Sequence, residues 1–421
     1  MTIVPATKAT TDPTKGARRR VARPTLTPRA GLWVVAAVFC VAMAFSAVPT
    51  PLWSLYQARD GFSAFMVTVA FAAYAAGVIV SLLLAGRVSD WLGRRRVLIP
   101  ALLIEALSAA VFLVFPALPG LIAARIISGL GIGMITATSA AYITELSARA
   151  QPNSPHRGAD LIATAANMGG FALGPLIAGA LAQWVHAPLR VPFIAFLALL
   201  LLSALGLMLV PETVKPTTER PAYHPQRISV PITSRPQYFA AAGAAFAAFS
   251  VLGLFTSLAP TFVAVTLGYR SHALAGLIAF VVFGTAAVAQ ATLSRLHTTT
   301  QLRSGLLLIP SGLVLLTISV FLSSLPPFLV GGALAGAGAG VLFKASLTSG
   351  SSFAESENRS ETLTGLFLAA YIGLVVPILG LGIAMQFTSD RNGLLCFAIA
   401  VVAVIAAIAR PLLRQDTQPS D

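Results

Sequence analysis

The sequence predicts an all-α integral membrane protein: twelve transmembrane helices in two six-helix halves. Three observations carry that prediction. Apolar residues make up 57% of the 421 and charged residues only 10%, against about 25% charged in an average soluble domain. Apolar runs long enough to span a bilayer, which takes about 20 residues, recur at 31–55, 64–86, 97–115, 119–144, 160–183, 190–210, 237–262, 272–294, 301–321, 326–349, 362–387 and 392–410. One long polar break, 211–236, divides these runs six and six. The runs do not alternate apolar with polar residues, as barrel strands would, so the spans are helices.

The elements follow in order. Residues 1–30 are basic and rich in Thr, Pro and Arg, the composition of a disordered tail. A signal peptide is the rival reading, because Ala42-Met43-Ala44 resembles a cleavage site. Against it, the charged lead is long and the apolar run continues into Pro49-Thr50-Pro51. Residues 31–210 form the N-terminal half and 237–410 the C-terminal half, with a second tail at 411–421. The 211–236 break holds six prolines and four basic residues, which suits an extended linker. Six spans on either side of a linker are the layout of two halves related by an axis along the membrane normal. A faint repeat supports this: Gly129, Gly131 and Gly133 in span 4 recur at constant offset as Gly336, Gly338 and Gly340 in span 10. Cys40 and Cys396 both fall inside spans, which supports neither a disulfide nor a metal site.

The formal net charge is +14, yet its distribution excludes a nucleic-acid partner. Of 28 Lys and Arg, 22 fall on the side of the termini and only 4, Arg59, Arg190, Arg270 and Arg391, on the other. This asymmetry is the positive-inside rule, with both termini cytoplasmic and the basic face toward anionic lipid headgroups. The five histidines map to loops or helix ends, and no His/Asp/Glu cluster has metal-ligand spacing. No metal, cofactor or enzymatic activity is expected.

Between spans 2 and 3 lies Gly86-Arg87-Val88-Ser89-Asp90-Trp91-Leu92-Gly93-Arg94-Arg95-Arg96-Val97-Leu98. Gly86 and Gly93 permit a close turn, and Asp90 is an acid among basic neighbours. The segment resembles the signature loop between helices 2 and 3 of the major facilitator superfamily of transporters. The resemblance implies a conformational latch of Gly86, Asp90, Gly93, Arg94 and Arg95, with Asp90 near a helix N-terminus of the other half, where the dipole favours a carboxylate. Arg94 is expected to pair with Glu145 at the inner end of span 4. Topology anchoring alone is the plainer reading. The second copy of the loop is degenerate, with Arg295 where Asp90 would fall.

Within the spans, Arg125 must find water, a counter-charge or carbonyls, since an unpaired guanidinium there costs about 2.5–3.5 kcal/mol. Arg125-x-x-x-Gly129 resembles the helix-4 signature of proton-coupled family members, which ties this Arg to proton transfer. Snorkelling to the outer end competes with that reading. Glu105 sits about eight residues into span 3, near mid-bilayer at 1.5 Å per residue, and is the proton-carrier candidate by depth. In span 5, Gly170, Gly174 and Ala178 share a face that admits close helix approach. With Pro175 and Gly179 they resemble the antiporter signature of drug:proton exporters, although Ala178 and Leu161 depart from its glycines. Small-residue packing alone also explains them. The resemblance also implies which helices line the central cavity, giving Tyr74, Asn167, Phe246, Phe249, Gln290, Lys344 and Tyr371 as substrate-cavity candidates.

The resemblance implies a monomeric secondary transporter in a bacterial cell membrane. It is expected to export a small amphiphilic organic compound in exchange for protons, with the proton gradient as energy source. The alternative is a proton-coupled importer or uniporter of a small nutrient such as a sugar, because Pro211-Glu212-Thr213 resembles a sugar-porter ending.

Overall fold

The computed structural model describes residues 26–85, 88–152, 157–214, 230, 234–352 and 359–413. Gly86 of the predicted latch, most of the predicted N-terminal tail and most of the predicted linker lie outside them. Twelve long helices run in chain order: α1 (Pro28–Ala47), α2 (Ala64–Ala85), α3 (Arg94–Val114), α4 (Leu118–Ala150), α5 (Arg157–Trp184), α6 (Val191–Leu207), α7 (Arg235–Ser257), α8 (His272–Leu293), α9 (Thr298–Leu322), α10 (Leu325–Ser352), α11 (Arg359–Phe387) and α12 (Asp390–Leu413). Eleven are long and apolar enough to cross a membrane; α6, at 17 residues, is shorter. The protein is a multi-pass membrane protein of the predicted fold class.

Nine of these helices begin one to three residues before the apolar runs, α1 and α7 among them. α1 starts at Pro28, behind Thr27, whose Oγ1 accepts the Ala30 N–H at 3.3 Å. α7 starts at Arg235, with Pro236 in its first turn. Proline suits both positions: its missing N–H has no intrahelical partner there and its φ is already helical.

The glycine repeat packs the two halves by one rule. In α4, Gly129 and Gly133 lie against α2 at Tyr74 and Ser81, while Gly131 lies against α3 at Glu105 and Ala101. In α10, Gly336 and Gly340 lie against α8 at Val282 and Ala286, while Gly338 lies against α9 at Leu308 and Ile309. Each glycine lets a neighbouring backbone or side chain occupy the place of its missing Cβ. The same offset pairs Arg125 with Gly332 and Ser128 with Ala335, so the charged cluster belongs to the first half alone.

The halves meet at the end remote from the basic turn. There Thr50 Oγ1 donates to the Thr256 carbonyl at 3.1 Å, and Gln183 Oε1 accepts the His272 N–H at 3.0 Å. Gly276 of α8 rests on the Pro175 carbonyl of α5, and Gly179 rests on the His272 carbonyl. Toward the membrane middle, Phe171 and Phe283 stack across the halves with ring centroids 5.3 Å apart.

Candidate functional site

Two constellations merit a functional reading: the basic turn and the cavity between the halves. The turn is built around Gly93. Its φ of 104° lies where side chains are disfavoured, and a Cβ there would press on the Glu212 carboxylate, 2.7 Å from Oε2. That carboxylate reaches the start of α3. Its Oε1 accepts the Arg94 N–H at 2.9 Å and its Oε2 the Arg95 N–H at 3.1 Å. A negative group on free N–H donors at a helix N-terminus is stabilised by both hydrogen bonds and dipole.

Arg94 is nearly buried and bridges two acids. Its Nη2 donates to Glu145 Oε1 at 2.7 Å and its Nη1 to Asp90 Oδ1 at 2.5 Å, with Ser89 Oγ a third acceptor at 2.6 Å. Thr213 Oγ1 donates to the same Glu145 carboxylate. Arg95 Nη1 donates to the Met208 and Val210 carbonyls at 3.1 and 3.2 Å, placing a cation at the C-terminal end of α6. Tyr142 and Arg149 of α4 donate to the Pro211 and Glu212 carbonyls at 2.7 and 3.0 Å. The first residues after α6 are thus fastened to the first half.

The expectation for Asp90 needs correction. In this conformation its partner is Arg94 of its own turn, one helical turn away, and its side chain remains 57% exposed. The acid seated on a helix N-terminus is Glu212, and the helix is α3 of the same half. The sequence carried no local signal for this, because Glu212 and Arg94 are brought together only by folding.

The cavity lies between the halves, and nine of its 22 lining residues are aromatic, among them Phe71, Tyr74, Phe171, Phe249, Phe283 and Tyr371. The cavity has a volume of about 70 Å³. The walls are drawn in. Small-molecule pockets run at about 300–1,000 Å³, so a substrate enters only as these walls part. The lining contains one formal charge, Arg125, and no Asp or Glu.

Arg125 does not snorkel. It is 3% exposed, and its Nη1 donates to the Ser46 carbonyl of α1 at 2.7 Å. Its guanidinium carbon lies 4.1 Å from the Tyr74 ring centroid and 5.6 Å from that of Phe71, a cation–π arrangement. Its Nε has no partner. One turn along α4, Ser128 Oγ donates to Glu105 Oε2 at 3.0 Å. Glu105 is fully buried and within electrostatic reach of Arg125. It packs in the space left by Gly131 and does not line the cavity.

Of the cavity candidates, Tyr74, Asn167, Phe249 and Tyr371 line it. Phe246, Gln290 and Lys344 do not. The Phe246 backbone is the bed for Gly373 of α11, and Gln290 Nε2 donates to the Gly340 carbonyl at 2.9 Å, tying α8 to α10. Lys344 lies on α10 toward the basic end, outside the lining. In α5, Gly170 and Gly174 lie on the α1 backbone at Cys40 and Ala44, whereas Pro175 and Gly179 meet α8. The motif residues therefore serve two different helix contacts.

Two six-helix halves around a central cavity define a helical membrane transporter. The chain belongs to the Major Facilitator Superfamily, which it matches over residues 34–373. Among curated proteins it is 42% identical to the arabinose-proton symporter of Bacillus subtilis (strain 168) over 83 residues, 20% of this chain and 18% of that protein. Among solved structures it resembles a bacterial homolog of the human lysosomal transporter Spinster, inward-facing and unoccupied: TM-score 0.70, 15% identity, 95% of this chain and 100% of that one. It also resembles the human organic anion transporter MFSD10 (TETRAN): TM-score 0.63, 15% identity, 91% of this chain and 100% of that one.

Proposed function

We propose that this chain is a proton-coupled secondary transporter that moves a small amphiphilic organic compound through the Arg125 cavity by alternating access. The observation that carries the reading is Arg125 itself: a buried guanidinium on the wall of an otherwise uncharged, largely apolar cavity, with the buried carboxyl of Glu105 one turn behind it. An intramembrane ionisable pair is costly and marks a substrate or proton path by default. In this reading Arg125 faces the substrate and Glu105 exchanges the proton. The contacts at the remote end close that side, so in this reading the walls part next toward the basic end, which the charge asymmetry assigns to the cytoplasm. The latch of Asp90, Gly93, Arg94, Arg95 and Glu145 then acts in the opposite conformation, when the basic ends of the halves approach.

Two signs of coupling each have an observation behind them. Export in exchange for protons is supported by the Gly170, Gly174, Pro175 and Gly179 pattern of α5. Co-transport with protons is supported by the short match to a proton symporter. Proteoliposomes loaded with a pH-sensitive dye test both. A compound that stabilises the purified protein is added with no imposed gradient. Inward flux that acidifies the lumen indicates co-transport, and inward flux that alkalinises it indicates exchange. Compound flux with no lumenal pH change refutes proton coupling.

A further inference from the structure

The charge of the cavity defines its ligand class. Arg125 is its single ionic group, and among the described residues no carboxylate lies within 4.0 Å of the guanidinium. A guanidinium has five N–H donors; here Nη1 is bonded to the Ser46 carbonyl, while Nε is buried with no acceptor. Asn167 contributes a second buried atom without a partner, Oδ1, to the same lining; as an acceptor it suits an N–H or O–H on a ligand's body and not an anionic headgroup. One face of the guanidinium is covered by Tyr74, so the edge is what remains for a ligand. Phe171, Phe249, Phe283 and Tyr371 offer the rest of the wall as apolar ring surface. A cationic amphiphile would meet Arg125 with no acid in the lining to balance it. A carboxylate on an aryl or alkyl body would accept from the guanidinium edge and bury its body among the rings.

We infer that the Arg125 cavity is a site for an organic monoanion: a carboxylate or sulfonate headgroup on Arg125, with an aryl or alkyl body between the aromatic walls. The inference rests on the cavity being the substrate site. It also bears on coupling. The groups in reach of Glu105 are Arg125 and Ser128 from α4 and Tyr74 from α2; α6 carries no titratable residue and α1 only Arg29 and Cys40. Arg125 is therefore the one nearby positive charge. A bound anion and an ionised Glu105 compete for it, so the anion and a proton on Glu105 favour each other's binding. Linkage of this sign is that of co-transport; a cationic ligand would give exchange.

The test uses the purified full chain and three ligands with one body: phenylpropionate, phenylpropionamide and phenylpropylamine. The carboxylate is expected to raise the melting temperature saturably, with the amide and amine much weaker. Arg125→Gln is expected to raise the half-saturating carboxylate concentration by about 10- to 100-fold, the range for a lost hydrogen bond to a charged group, and Arg125→Lys to restore part of it. Stabilisation by the amine or amide at or above the carboxylate overturns the anion assignment and leaves the cavity as the binding site. No stabilisation by any of the three overturns both. The wild-type order is decisive alone, so a misfolded Gln variant does not rescue the inference.

Discussion

One methyl group at Gly276 is expected to hold the remote end of the protein open. Gly276 crosses α5 where the halves meet: a Cβ built there falls inside van der Waals contact with the Pro175 carbonyl and 3.3 Å from the Gly179 Cα. A helical carbonyl cannot rotate aside, so the helices themselves must separate. Overpacking of this kind costs about 1–3 kcal/mol. Alanine also favours the helix over glycine by about 1 kcal/mol, but that gain is common to both conformations and cancels. The contact cost falls only on the conformation closed at the remote end, so Gly276→Ala shifts the population away from it by about 5- to 150-fold. The assay is a spin-label distance between Arg190→Cys and Arg270→Cys, exposed positions at that end in different halves, with Cys40 and Cys396 changed to Ala. A longer distance gains weight in Gly276→Ala. The reasoning fails if the distance distribution is unchanged while the melting temperature falls, because the contact would then persist in every conformation.

Other substitutions separate stability from transport. Glu212→Ala leaves the Arg94 and Arg95 N–H groups without their carboxylate and is expected to cost about 1–2 kcal/mol of stability; Glu212→Gln, which keeps an acceptor, costs less, and denaturation of the purified variants compares them. Asp90→Asn weakens a pair with Arg94 whose Asp90 side is exposed and whose Arg94 keeps Glu145, a loss of at most about 1 kcal/mol, so the melting temperature moves little. Transport is nevertheless lost if Asp90 latches the opposite conformation, and normal rates in proteoliposomes would rule that role out. Glu105→Gln is expected to abolish pH-driven accumulation while substrate exchange across the membrane continues; accumulation that still follows the pH gradient removes Glu105 from coupling.

The fold was legible because lipid imposes a length on every span, and a run of apolar residues has few other uses. The same uniformity hid the orientation of each helix. A helix that is apolar all round carries no stripe to say which face meets a neighbour, so helix number alone places Phe246 and Gln290 in the cavity, whereas neither lines it and Gln290 bonds to α10. Charge narrows the choice: burying Arg125 or Glu105 is expensive wherever it points, and Arg125 is marked by its spacing to Gly129 as well, whereas Lys344, also in a span, lies outside the lining. The division of labour between Arg125 and Glu105 needed coordinates: Arg125 on the cavity wall, Glu105 behind Ser128. Glu212 is legible only as part of the Pro211-Glu212-Thr213 ending, and its seat on α3 is hidden for a third reason: the Arg94 and Arg95 N–H groups it accepts lie more than a hundred residues away in sequence.

The shared glycine rule of α4 and α10 permits a controlled test of what the first half adds. Gly131 and Gly338 occupy equivalent places, each against the third helix of its own half. A methyl group at Gly338 meets the Leu308 Cβ and the Ile309 backbone at 2.8 Å. A methyl group at Gly131 meets the Glu105 carboxylate and forces it from its seat beside Ser128. Gly338→Ala presses on backbone and is expected to cost about 1–3 kcal/mol, whereas Gly131→Ala is relieved largely by displacing the Glu105 carboxylate, so its melting temperature should fall no further than that of Gly338→Ala. Their effects on coupling should not match. Only Gly131→Ala disturbs the Glu105–Ser128–Arg125 cluster, because the second half has Gly332 and Ala335 where the first has Arg125 and Ser128. The expected result is a shifted pH dependence of transport for Gly131→Ala and an unshifted one, at reduced protein yield, for Gly338→Ala. Equal shifts in both would mean that coupling travels through helix packing common to the halves and not through the one buried carboxyl.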